Sequence, residues 1–240
     1  MNYRERIYTS YVSSGQARNV DGLSKTTIFQ NKPYVEKLIN SFFYKRTDSI
    51  IYDLGCGYGK YLFFLKQKSF LNIKGVDVSK EQVDIAHKLG LHEVECGEID
   101  DFLKRQTTEA DFILLMDILE HLTKDELFNM LDLVYHKVKN GGKIIIHIPN
   151  GEGIFGSRIA YGDLSHEVCF TPSSINQLLK IIGFKKINVY EDKPIIHGPL
   201  SFLRRVIWMV GTLPTRILMA AETGSTSAIL SQNMTVVAEK

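Results

Sequence analysis

The stretch Asp53-Leu54-Gly55-Cys56-Gly57-Tyr58-Gly59 follows a short β-branched run and passes directly into KYLFFLKQK, whose apolar residues have helical spacing. A strand that turns into a helix through three glycines lets backbone approach a ligand closely, because no Cβ intervenes and positive φ is allowed. The helix behind it presents its first N–H groups to the same place. A tight βα turn with no ligand has the same local sequence, so the neighbouring residues decide. The next apolar run ends in Gly75-Val76-Asp77-Val78. An acidic side chain about twenty residues past such glycines can accept both hydrogen bonds of a ribose diol. A third run ends in Cys96-Gly97-Glu98-Ile99, which puts a carboxylate where an adenine amino group can sit. An acid at a helix N-terminus is explained equally well by the helix dipole.

These residues fit an adenosine-containing ligand, and the spacing narrows which one. A dinucleotide fingerprint requires G-x-G-x-x-G. Here the glycines read G-x-G-x-G, and Lys60 holds the sixth position. That disfavours a nicotinamide-dependent oxidoreductase. Asp53 beside the turn suits a zwitterionic, cationic methionyl group better than a pyrophosphate.

The elements that must carry these residues are legible over the middle of the chain. SIIYDL, NIKGVDV, HEVEC, DFILLMD and KIIIHIP alternate with four helical segments, and Ser79 is placed to cap the second of them. The fourth helix, KDELFNMLDLVYHKV, is expected to stop at Asn140-Gly141-Gly142. The strands are continuous apolar runs, as expected of a sheet covered on both faces. The fold class is therefore α/β, a Rossmann-like doubly wound sheet, mostly parallel, with an antiparallel last strand, MTVVAEK. The organisation expected is an N-terminal helical segment or lid over 1–46, a core over 47–191 and 233–240, and an apolar helical insertion over 192–232. Gly211 and Pro214 are expected to break that insertion into a helical pair. It packs on the sheet edge or in a dimer interface, or touches a membrane surface, through 199–221.

The segments DLGCGYGKYLFFL, GVDVS, CGEIDDFL, DFILLMDILEHL and NGGKIIIHIPN resemble, in that order and spacing, the successive motifs of class I S-adenosylmethionine-dependent methyltransferases. The resemblance covers about residues 49–150. It implies S-adenosylmethionine as cofactor, with Gly55, Gly57 and Gly59, and Cys56 between them, under its methionyl and ribose parts. It implies Asp77 on the ribose hydroxyls, Val78 against the adenine, Glu98 or Ile99 at the adenine edge, and Met116 with Asp117 on the methionyl amine side. DLSHEVCFTPSSINQLLKIIGFKKINVYE is similar to the acceptor-side segment of methyltransferases that modify glycans, quinones and small molecules. The tail pattern ETGSTSAILSQNMTVVAEK resembles bacterial polysaccharide or glycolipid members, which implies O-methylation of a sugar or polysaccharide precursor, as in polysaccharide biosynthesis, or of another small hydroxylated acceptor. A quinone or other small-molecule methyltransferase is the alternative, as is an inactive methyltransferase-like binding module.

A hydroxyl acceptor has to lose a proton, which calls for a base. His166, in the polar loop DLSHE after the fifth strand, is the expected base, with Asp163 and Glu167 beside it. His121, at the end of DILEH, is the second candidate and is expected to share a helix face with Asp117. His147, within KIIIHIP, reads as a hydrogen-bonded core histidine. No spacing of ligand types indicates a metal.

Bulk composition agrees with this picture. A formal charge of +2, 44% hydrophobic and 23% charged residues describe an ordinary globular enzyme. No basic run implies nucleic acid. The partner expected is a small-molecule or glycan acceptor. Cys56, Cys96 and Cys169 are too scattered for a disulfide framework, and MNYRERIYTSYVSSGQ lacks an apolar signal region, so a cytoplasmic location is expected.

Overall fold

A computed structural model describes residues 3, 6, 7, 25–43 and 46–240. Much of the N-terminal segment expected over 1–46 lies outside the described residues. Its remainder forms α1 (Lys25–Gln30) and α2 (Lys32–Phe42), and Val35, Leu38 and Ile39 give α2 a buried face. Then follow β1 (Ile51–Leu54), α3 (Lys60–Gln67), β2 (Ile73–Asp77), α4 (Lys80–Lys88), β3 (Val94–Cys96), α5 (Ile99–Arg105) and β4 (Ala110–Met116). A short 3-10 turn, Leu119–His121, leads to α6 (Lys124–Lys137) and β5 (Val138–Pro149). The chain continues through α7 (Gly156–Ala160), α8 (Pro172–Ile182), β6 (Lys185–Glu191), α9 (Pro199–Thr223) and β7 (Asn233–Glu239).

The seven strands form one sheet in the order β3-β2-β1-β4-β5-β7-β6. β1 to β5 are parallel, and β7 inserts antiparallel between β5 and β6. Alternate residues of each central strand feed two separate cores. Tyr52, Leu54, Ile113, Leu115, Ile144 and Ile146 pack with α5, α6 and α8. Ile51, Phe112, Leu114 and Ile145 pack with α2, α3 and α4. Burial on both faces is why these strands read as unbroken apolar runs. Winding runs outward from β1 on one side and from β4 on the other. The crevice between their carboxyl ends is where open α/β sheets bind ligands.

Two expectations fail. The Asn140-Gly141-Gly142 signal lies inside β5, not at a helix end: α6 stops at Lys137, and Val138 is already in the strand. The glycines form a bulge at which pairing with β4 jumps from Ala110↔Val138 to Phe112↔Lys143, and Gly141 has φ 77°. A left-handed glycine serves a bulge and a helix end alike, so the local sequence does not tell them apart. The insertion is not a helical pair either. α9 is one helix that continues through Gly211 and Pro214. Thr212 donates its hydroxyl to the Trp208 carbonyl at 2.8 Å. The helix is tethered to the sheet by Arg216, which grips both oxygens of the buried Glu191 carboxylate at 2.6 and 2.7 Å. Only Ser201 and Thr212 along it are buried, while Leu200, Phe202, Ile207, Met209, Val210 and Leu218 are exposed. Among the described residues no helix is long and apolar enough to cross a membrane.

Candidate active site

The glycine turn closes the carboxyl end of β1. Gly55 has φ 64°, a conformation that favours glycine, and a Cβ there would stand 2.1 Å from Ile118 Cδ1, so the turn packs closely against the segment just after β4. Gly57 has φ 56°, and the nearest atom to a Cβ there is Gln82 Oε1 at 3.7 Å. That is an ordinary contact and the one such atom within 4 Å among the described residues, so the bare face of Gly57 is lightly packed. The Cβ position of Gly59 meets Leu91 at 2.6 Å, so this third glycine serves helix–strand packing. Cys56 is buried, its thiol lying against Gly75 and donating to the Gly57 carbonyl at 3.6 Å.

Asp77, at the end of β2, accepts the Gly57 N–H at 2.7 Å on one oxygen and the Ser79 N–H at 2.8 Å on the other. It thus ties the turn to the neighbouring strand. Each oxygen keeps a second lone pair for a ligand hydroxyl. Val78 beside it is 60% exposed, an apolar side chain left mostly uncovered. Glu98 is exposed and caps α5 without a side-chain cap bond, and Ile99 is half-buried behind it. These residues line the carboxyl edges of adjacent strands, as the spacing predicts.

Asp53 is the most telling of the set. It is fully buried on β1, and neither carboxylate oxygen has a hydrogen-bond partner among the described residues. Burial pushes its pKa up to about 8, with Lys60 opposing and Asp77 adding to the rise. An orphaned buried carboxylate is costly, and a cationic ligand group in the crevice would offset that cost.

On the other side of the crevice, β4 ends in Met116 (buried) and Asp117, which adopts φ 60°, a left-handed conformation uncommon outside glycine. Asp117 is held there from two directions. Its N–H donates to the His147 carbonyl at 2.9 Å, and its carboxylate pairs with His147 Nδ1 at 2.5 Å. It lies in the crevice with 53% of its side chain reachable by solvent. His147 Nε2 pairs with Asp192 at 2.8 Å. Asp192 also accepts from Thr235 at 2.9 Å and from Tyr34 at 3.2 Å. Both ring nitrogens of His147 therefore face carboxylates. Burial opposes its charge, yet Asp117 and Asp192 raise its pKa to about 10. His147 is a hydrogen-bonded imidazolium with no lone pair to offer as a base.

Asp117 and His121 do not share a helix face, because the turn between them is a single 3-10 step. Instead His121 meets His166, with ring centroids 4.8 Å apart. The loop carrying His166 is pinned at both ends. Gly151 N–H donates to the Phe170 carbonyl at 2.7 Å, and the Glu167 and Val168 N–H groups both donate to the Glu120 carbonyl, at 2.7 and 3.2 Å. Tyr3 donates its hydroxyl to the Glu167 side chain. Asp163 accepts from the Ser165 hydroxyl at 2.6 Å, and that hydroxyl lies 2.9 Å from His121 Nδ1. Asp163 thus reaches His121 through the Ser165 hydroxyl, while its own carbonyl accepts the His166 N–H at 3.3 Å. Burial and the neighbouring His166 lower the His121 pKa.

Three site residues escape a reading of the sequence. Asp192 and Tyr34 are far away in the chain and carry no motif. Glu120 carries a signal only in hindsight, as the acid directly before His121. It is 2% exposed, and burial together with Asp117 raises its pKa to about 8.

A cavity of about 420 Å³ adjoins the His147 assembly and is lined by Tyr34, Asp192, Lys193, Ser201, Arg204 and Trp208, among others. A second cavity of about 620 Å³, which includes Asp48, Ile50 and Asn72, lies at the opposite, amino-terminal ends of the strands. It is away from the crevice.

The electrostatics predict how stability depends on pH. The folded chain keeps the His147 proton up to about pH 10, whereas an unfolded histidine releases it near 6.5. That contribution is complete below pH 6.5 and is lost as pH rises through 10. Asp53 acts in the same direction between about pH 4 and 8, since the folded chain holds a proton that the unfolded chain has released. The melting temperature of the ligand-free protein is expected to fall steadily from pH 6.5 to 10, and His147→Gln to flatten the upper part. A melting curve that is level or rises over this range contradicts both assignments.

Comparison with known proteins follows the same lines. A family model described as a methyltransferase domain matches residues 29–189. No curated protein matches the chain. Among solved structures, an S-adenosylmethionine-dependent methyltransferase from Archaeoglobus fulgidus is similar with a TM-score of 0.65 and 21% identity, covering 90% of this chain and 100% of its own. An O-methyltransferase family protein from Burkholderia thailandensis gives 0.63 and 14%, over 97% of this chain and 62% of its own. Phosphoethanolamine N-methyltransferase 2 from Haemonchus contortus, solved with S-adenosylmethionine, gives 0.58 and 15%, over 92% and 58%.

Proposed function

The chain belongs to the class I S-adenosylmethionine-dependent methyltransferases, and from that premise we propose that it methylates a hydroxyl group of a small, sugar-like acceptor. Bound in the crevice, S-adenosylmethionine supplies a methyl group carried on a sulfonium. Asp77 would accept the ribose hydroxyls, Val78 would lie against the adenine, and Glu98 or Ile99 would meet its edge. Asp53 would answer the positive charge of the methionyl part, with Met116 and Asp117 along its amine side.

The observation that carries the hydroxyl reading is the pair of imidazoles, His121 and His166, brought together at the acceptor side. An amine or thiol acceptor does not require such a pair, whereas an alcohol is a poor nucleophile until its proton is taken or withdrawn. His166, on the loop over the crevice, is assigned to that proton, with His121 beside it. The lining of the cavity beside the His147 assembly sets Asp192, Lys193, Ser201 and Arg204 among Tyr34, Phe155 and Trp208, a mix of hydrogen-bonding groups and aromatic faces that suits a sugar ring. It has the size of a small-ligand site.

The test is a product assay on glycan precursors, quinols and amines, run beside calorimetry with S-adenosylmethionine. Methyl ether formation on the glycan class is expected. Asp77→Ala should weaken cofactor binding at least about tenfold through the loss of charge-assisted hydrogen bonds. Tight cofactor binding with methylation of amines alone overturns the hydroxyl reading. Unchanged affinity in Asp77→Ala overturns the ribose assignment.

A further inference from the structure

We propose that Glu120, His121 and His166 form a binding site for a divalent first-row transition-metal ion. One candidate ligand atom from each of the three lies within 4.8 Å of the others. Two ligands sharing an ion with bonds of about 2.0–2.2 Å stand roughly 3–3.5 Å apart, so small side-chain rotations close the set.

The hydrogen bonds around the histidines prepare them as ligands. The Ser165 hydroxyl has a single hydrogen, and at 2.6 Å it goes to Asp163. Toward His121 Nδ1, 2.9 Å away, Ser165 can only accept, which puts the His121 proton on Nδ1 and the lone pair on Nε2. His166 Nδ1 lies 3.1 Å from the Ala160 carbonyl, which accepts only, so His166 is fixed as the same tautomer. Metal-binding histidines are typically held this way, with the far ring nitrogen donating to a carbonyl or, through a relay, to a carboxylate.

The third member points to a ligand independently. Glu120 is 2% exposed, and its Oε2 has no hydrogen-bond partner among the described residues. A buried carboxylate of this kind is stable when it coordinates a metal or meets a counter-charge. Two neutral imidazoles and one carboxylate select Mn²⁺, Fe²⁺, Co²⁺ or Zn²⁺ over Mg²⁺ and Ca²⁺, which favour all-oxygen sets. Three protein ligands also leave coordination positions open. On the hydroxyl reading above, on which this consequence rests, those positions receive the acceptor oxygen and lower its pKa. The histidines then act by holding the ion that withdraws the proton.

The test titrates Co²⁺ into chelator-treated full-length protein and reads its visible absorption. One equivalent is expected to bind with d–d bands of a nitrogen and oxygen ligand set, without the charge-transfer band that the exposed Cys96 or Cys169 thiolates would add. Glu120→Gln and His166→Gln should each weaken binding at least about tenfold, with circular dichroism and S-adenosylmethionine affinity preserved. Should Glu120→Gln fail to fold, His166→Gln, on a partly exposed loop, carries the test alone. Absence of a bound equivalent, thiolate bands only, or binding that survives the substitutions overturns the site. Tight metal binding without methylation of any hydroxyl acceptor leaves the site standing and rejects the hydroxyl reading instead.

Discussion

Replacing His166 with alanine is expected to cut methyl transfer by about a hundredfold or more while S-adenosylmethionine affinity changes by less than about twofold. The two halves of this result come from different parts of the crevice. The floor proposed for the cofactor is formed by Asp53, Gly57 and Asp77 at the ends of β1 and β2. His166 stands on the 151–169 loop on the far side, fastened by the Glu120 carbonyl. Removing an imidazole from that loop leaves the floor intact and takes away the group assigned to the acceptor's proton. A positioned acid–base group contributes typically 10²–10⁴-fold, and a ligand to a metal that polarises the acceptor would cost at least as much. The loss should appear in kcat and kcat/KM alike, the pattern of an interaction made in the transition state. If His166→Ala keeps near-normal turnover while His121→Ala loses it, His121 is the working group and the loop has been assigned the wrong part. If neither substitution matters, alignment alone carries the reaction and the acceptor is not an unactivated hydroxyl.

Gly57→Val is expected to abolish measurable cofactor binding, for two additive reasons. At φ 56° a residue with a Cβ is strained by roughly 1–2 kcal/mol, and a β-branched one by more. The new methyl groups would also reach past the Gln82 contact into the lightly packed space beside the turn, where the proposed ligand comes close to backbone. The strain alone can be measured elsewhere. Gly90, at the end of α4, has φ 85° and nothing within 4 Å of its Cβ position. Gly90→Val should therefore show a comparable drop in melting temperature with cofactor binding intact. Equal binding losses in both variants would make the Gly57 effect a matter of stability. Normal binding in a folded Gly57→Val protein would place the cofactor somewhere other than this turn.

Several features of the protein are written in contiguous sequence. The five parallel strands announce themselves because each is buried on both faces, which demands an unbroken apolar run. The glycine turn and Asp77 are legible because a βα unit fixes their separation through its own geometry, and the Gly57 N–H bond to Asp77 joins residues only twenty apart. The last strand is legible as a short apolar run, while its antiparallel direction is seen in its pairing between β5 and β6.

The acceptor side depends on distances no local pattern encodes. His121 and His166 meet because the loop backbone donates to the Glu120 carbonyl, a contact made by main-chain atoms of any residue type. His147 reads as a core histidine, and its burial agrees. Its charge arises only because sheet register sets it beside Met116 on β4, next to Asp117, and because the chain after β6 returns Asp192 to its other nitrogen. Glu120 looks like one more surface acid until the loop covers it. The glycines at 140–142 and the Gly211–Pro214 stretch of α9 fail in the opposite way, since their strong local signals are overridden by sheet pairing and by helix length. Local geometry dictates the glycine turn and Asp77 proposed as the cofactor floor, so sequence alone determines them; the groups proposed for the acceptor side and the His147 assembly beside them come from side chains 30 to 158 residues apart, and only tertiary packing assembles them.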